Sequence, residues 1–159
     1  MKQQLLTICF IAAITITKAQ TNFSGIWAEP QLEMIEGKQY SNALPVKIVV
    51  SQTKDSIKME RTEVGSDASV TQTLALNGKT FERVGKTSKR TIRSTATWSA
   101  DKKTLTIITT YSYADKPGEV EYNNTETWTL ADDGVLTIIK KSDAAVTDDW
   151  TIKGSFKKQ

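Results

Sequence analysis

Histidine is absent from the 159 residues, and cysteine occurs once. Without histidine there is no Ser-His-Asp triad, no Cys-His pair and no imidazole ligand for a metal. With one cysteine no intramolecular disulfide can form, so packing alone must hold the chain together. Oxygen-ligand ions such as Ca²⁺ are the remaining metal class. The turn Ala131-Asp132-Asp133-Gly134 lacks the ligand count of a calcium loop, so no metal and no cofactor is expected. Charge of one sign is also lacking, with 21 Lys+Arg against 18 Asp+Glu. The densest basic cluster is Lys86, Lys89, Arg90 and Arg93, which reads as a solvated hairpin end and is too small for a nucleic-acid surface.

What is present begins with a positively charged start, Lys2, and a nearly unbroken apolar run from Leu5 to Ile16. At about 12 residues that run is short of the roughly 20 that span a bilayer. Small residues follow at Thr17-Lys18-Ala19. The pattern is that of a secretory signal peptide cleaved after Ala19, with residues 20–159 as one exported domain, periplasmic or secreted, without a transmembrane segment. Cys9 lies inside the run behind Ile8 and so lacks a lipobox context. Cleavage removes Cys9, and the 21 basic residues less Lys2 and Lys18 leave 19 against 18 acidic.

The rest is rich in threonine, which suits a pleated, half-exposed surface. Apolar residues recur at every second position between turn signals, which predicts strands over Phe23–Glu29, Val46–Gln52, Ser56–Val64, Ser69–Leu76, Thr80–Val84, Arg90–Ser99, Thr104–Tyr113, Glu119–Leu130, Val135–Lys141 and Asp149–Lys157. Asn77-Gly78 is the strongest hairpin signal. Short turns throughout imply an all-β antiparallel up-and-down meander of about 8–10 strands, closing into a barrel because closure removes sticky edges; a two-layer sandwich is the alternative. Only Pro30–Pro45 is long. Its apolar Leu32, Met34, Ile35, Tyr40 and Leu44 suit either a flap over the barrel mouth or a plug in the core, with a helical turn over Gln31–Glu36.

Alternation also assigns faces. Most inward positions are apolar, from Phe23 and Trp27 to Ile152 and Phe156. Arg61, Gln72, Arg83, Ser94, Tyr111, Tyr122, Asn124 and Glu126 are polar on those faces. Burying such groups is costly unless they are paired or hydrogen-bonded. They form either a satisfied internal network or the lining of a wet cavity that takes a polar ligand group. Tyr122, Asn124 and Glu126, on one strand, are the leading ligand-binding candidates, with Tyr111, Arg61, Gln72 and Arg83 beside them.

Phe23-Ser24-Gly25-Ile26-Trp27, a Phe-x-Gly-x-Trp on the first strand of a meander, resembles the lipocalin/calycin signature, and most of all the lipocalin-like proteins that bacteria export. The resemblance implies a barrel closed at its bottom by Gly25 and Trp27 as structural residues, and a small hydrophobic or amphipathic molecule held inside. It also implies a cation over the Trp ring from the last strand. No arginine follows Arg93, so Lys153 is the candidate. Ten strands, against the family's eight, are a departure.

Three functions fit these features. The first is an exported binding protein with a small-ligand cavity, reached past the Pro30–Pro45 loop. The second is an envelope protein–protein or inhibitor module using loops and outer faces, which are mostly Thr, Lys and Glu. The third is an acid–base enzyme pairing Glu126 with Glu63 or Glu29. Asp132-Asp133 and Asp148-Asp149 make no dyad, because adjacent strand residues face opposite ways. The binding protein is the reading adopted, and a non-enzymatic one.

Overall fold

A computed structural model describes residues 19–38, 40, 42–144 and 147–159. The leader reading for 1–19, including Cys9, lies outside the described residues except at Ala19. The chain folds as ten antiparallel strands: β1 Gly25–Glu36, β2 Lys47–Gln52, β3 Ser56–Thr62, β4 Ser69–Ala75, β5 Phe81–Val84, β6 Thr91–Trp98, β7 Thr104–Ser112, β8 Val120–Leu130, β9 Leu136–Ala144 and β10 Trp150–Lys158. Among the described residues there is no helix, and so none long and apolar enough to cross a membrane. The strands form one sheet in the order β4-β3-β2-β1-β10-β9-β8-β7-β6-β5. It curls into a nearly closed up-and-down barrel in which β1 joins both β2 and β10.

The open seam lies between β4 and β5, the two strands joined by Asn77-Gly78. The turn forms there, with Gly78 at φ 80° and the Lys79 amide donating to Asn77 Oδ1 at 3.0 Å. The strands it joins nevertheless part, contrary to the hairpin expectation. The Gly78 amide bonds the Ala96 carbonyl of β6 instead, at 3.1 Å. Across the gap, Gln72 Nε2 of β4 donates to Ser94 Oγ of β6 at 2.9 Å.

β1 is longer than its alternation suggested. It leaves β2 after Ala28, and the pairing with β10 shifts register between Ala28 and Gln31, then runs to Glu36. Glu29 at φ 50° and Pro30 occupy that bulge, where proline's missing N–H costs no ladder bond. Gln31–Glu36 is therefore strand and not a helical turn, which shortens the expected Pro30–Pro45 loop to residues 37–46. The end of that loop is a plug. Ala43, Leu44 and Pro45 are buried, and a Cβ on Gly154 of β10 would stand 2.6 Å from Leu44 Cδ1. Gly154 is thus the vacancy that Leu44 fills.

The barrel has a dry end and a polar end. At the dry end Phe23 stacks on Trp98 (centroids 5.6 Å, 5°) and meets Trp128 edge-on (5.8 Å). The Trp27 indole donates to the Phe23 carbonyl at 2.8 Å. Above them Ile48, Ile57, Met59, Leu74, Leu105, Leu136, Ile138, Ile152 and Phe156 pack as the buried core of that half. The cation over Trp27 is Lys158, 5.6 Å from the ring centroid, and not Lys153, which pairs with Glu33 at 2.7 Å. Gly25, at φ 148°, makes room for it, since a Cβ there would sit 2.6 Å from Lys158 Cε. Five residues that alternation assigns to the inner face are exposed: Val46, Val70, Phe81, Arg83 and Val120. Val46 and Val120 are at strand starts on the polar rim, while Val70 and Phe81 flank the open seam, where no neighbouring strand covers them.

Candidate functional site

Alternation along β8 sends Tyr122, Asn124, Glu126 and Trp128 inward from rim to core. Glu126 lies at the boundary between the two halves. Arg61 of β3 reaches across the barrel to it as a bidentate pair, Nη1 to Oε1 at 2.7 Å and Nη2 to Oε2 at 2.8 Å. The Trp128 indole donates to Glu126 Oε2 at 3.0 Å, and the guanidinium lies 5.6 Å from that ring's centroid. The arrangement satisfies two charges at the end of an apolar core, as burial demands. Burial alone would raise the Glu126 carboxyl. The Arg61 charge and hydrogen bonds, with Lys140 and the Trp128 indole, outweigh it and hold the pKa down at about 2. On Arg61, burial works against the cation, and Glu126 reverses that to leave its pKa raised.

This pair floors an inner cavity of about 180 Å³. Arg61, Gln72, Arg83, Tyr111, Asn124 and Glu126, six of the seven sequence candidates, line it, with Glu63, Thr109 and Lys140. Arg83, expected on a buried face, is exposed, because β5 lies at the open seam and is covered by no β4 ladder. Tyr122, the seventh candidate, faces a neighbouring chamber of about 350 Å³, within the size range of small-molecule sites. Tyr40, Asn42 and Ala43 of the loop wall that chamber, together with Ser142, Ala144 and Trp150. Tyr122 stacks on Tyr111 at 4.3 Å, which ties the two spaces together. Burial raises the pKa of both phenols, helped at Tyr111 by Glu126 and at Tyr122 by Tyr111, with Tyr122 pushed up to about 12.

Asn124 and Lys140 line both spaces. Asn124 is 9% exposed, and its Oδ1 has no hydrogen-bond partner. Lys140 stands opposite Glu126 in the β8–β9 register, yet its Nζ donates to the Ala43 carbonyl at 2.8 Å. Burial lowers its pKa, against the pull of Glu126. Lys140 was missed from the sequence, although the inward series Leu136, Ile138 continues to it and to Ser142 by the same step of two. Another hollow, of about 520 Å³, lies among turns at the dry end beside Asn77 and Lys102, away from all these residues. Among the described residues no three Asp, Glu, His or Cys side chains converge as a metal site.

No protein-family model matches the chain, and no curated protein matches it in sequence. Solved structures do match in fold. One, described as the REP1-NXSQ fatty acid transporter, superposes over 86% of this chain and 95% of its own with a TM-score of 0.50 at 10% identity.

Proposed function

We propose that the protein is an exported carrier that holds a small amphipathic molecule in the polar half of its barrel. One observation carries the reading: Asn124, nine-tenths buried with an unpartnered carbonyl oxygen, stands in a wall shared by two cavities. A buried acceptor without a partner costs about 1–3 kcal/mol, which a ligand donor would recover. The superposition on a protein described as a fatty acid transporter supports a ligand with an apolar part. The leader pattern of residues 1–19 supports export.

Native mass spectrometry of the protein purified from its own host tests the proposal, together with uptake of the fluorescent acid 11-dansylaminoundecanoate. The expected result is one small molecule per chain, and probe fluorescence that rises on binding and falls in Asn124→Leu. A bare polypeptide mass together with no probe uptake overturns it.

A further inference from the structure

The cations around the two cavities are not equally engaged. Arg61 is bound on both terminal nitrogens by Glu126. Arg90 is bound through Nε and Nη2 by Glu121, which takes that carboxylate of the larger chamber out of play. Lys140 alone stands in both linings, and its hydrogen bond goes to a neutral backbone carbonyl. An ammonium has three N–H donors, so two are left for an incoming acceptor. A charged acceptor there makes a bond roughly twice as strong as a neutral one. The inner lining carries Arg61, Arg83 and Lys140 against Glu63 and Glu126, one positive charge in excess.

One side of the space beside Lys140 is aromatic. Its Nζ lies 5.9 Å from the Trp150 ring centroid, and Tyr40 packs on Trp150 at 5.5 Å. Asn124, the other residue common to both linings, offers an acceptor, Oδ1, and so asks for an O–H or N–H on the ligand. Resting on the carrier reading above, we infer that the ligand is a monoanionic amphiphile with a hydroxyl or amide N–H next to its acid group. The acid binds Lys140, the neighbouring donor binds Asn124, and the tail lies between Tyr40, Tyr122 and Trp150.

Calorimetric titration of the intact protein with four probes built on ten-carbon chains tests this: 2-hydroxydecanoate, decanoate, decanol and decyltrimethylammonium. Decanoate should bind about tenfold or more tighter than decanol, and the cation weakest. The hydroxy acid should gain a further factor of about three to ten from Asn124. Lys140→Met should collapse the preference for acid over alcohol. Asn124→Leu should collapse the preference for hydroxy acid over plain acid. Lys153→Met, whose lysine pairs with Glu33 on the exterior, should keep both. Because the ranking is read first on the unmodified protein, a variant that fails to fold leaves the test intact. Equal binding of acid and alcohol, or a preference for the cation, overturns the inference while the carrier reading stands. A hydroxy acid no tighter than decanoate overturns the part assigned to Asn124. Binding of none of the four overturns the carrier reading and this inference together.

Discussion

Replacing Glu126 by glutamine removes the negative charge at the base of the inner cavity and leaves the Arg61 guanidinium, whose side chain is 15% exposed, without its bidentate partner. Breaking one partner of a buried pair costs about 3–5 kcal/mol, because the surviving charge is desolvated and uncompensated. The acid limb of stability reads out the same pair. The Glu126 carboxyl sits at about 2 in the folded chain, against 4.5 when unperturbed. A depressed folded pKa contributes stability that is fully present above the unfolded value and is lost as pH falls through the folded one. Here the contribution is about 3 kcal/mol, lost between about pH 4.5 and 2. Urea unfolding followed by tryptophan fluorescence, repeated from about pH 7 down to about pH 2, measures both quantities. Glu126→Gln should be about 3–5 kcal/mol less stable at neutral pH, with a flatter acid limb that meets the native curve near pH 2. The double variant Arg61→Met/Glu126→Leu, which removes both charges, should recover most of the loss. A single variant as stable as the native chain at neutral pH, or parallel acid limbs, would refute this reasoning.

Gly154→Ala should cost about 1–3 kcal/mol in urea unfolding, because its Cβ would meet Leu44 Cδ1 at 2.6 Å and Phe156 Cε2 at 3.0 Å. Combined with Leu44→Ala, it should cost less than the sum of the single changes; strict additivity would mean that the two do not share one space. In an alkaline titration followed by tyrosinate absorbance, Tyr122→Phe should remove an ionisation at about 12. Its raised pKa also predicts that its contribution to stability is lost as pH climbs above about 10, where the unfolded phenol ionises first.

Period-two alternation made the strands and most of the core readable, since residues such as Ile57, Met59, Leu105 and Ile107 have no other reason to skip every second position. The same rule brought Arg61, Gln72, Tyr111, Asn124 and Glu126 to one cavity. It could not show that Arg61 and Glu126, 65 residues apart, meet across the barrel, because nothing local in the chain encodes which inward residues face each other through the interior. It also could not show where the barrel stays open. Asn77-Gly78 carries the turn chemistry of a paired hairpin, but a tertiary bond from Gly78 to Ala96 draws it away from that pairing. Pro30 reads locally as a strand end, and only the β10 partner shows that the strand goes on past it. Lys158 could not be told from Lys153 as the cation over Trp27 without knowing that Gly25 admits its stem.

The gap between β4 and β5 has a mechanical consequence. In the rest of the wall, widening by even a few tenths of an ångström would stretch a whole ladder of backbone bonds. Here the circumference can expand by swinging two free margins apart, resisted chiefly by the Gln72–Ser94 link and the Gly78 amide. By this topology the wall yields in one direction and is stiff in the others, so its girth can change while the dry base keeps its shape. Amide exchange along 69–75 and 81–84 running ahead of that along β8 and β9 would be the sign of such a hinge.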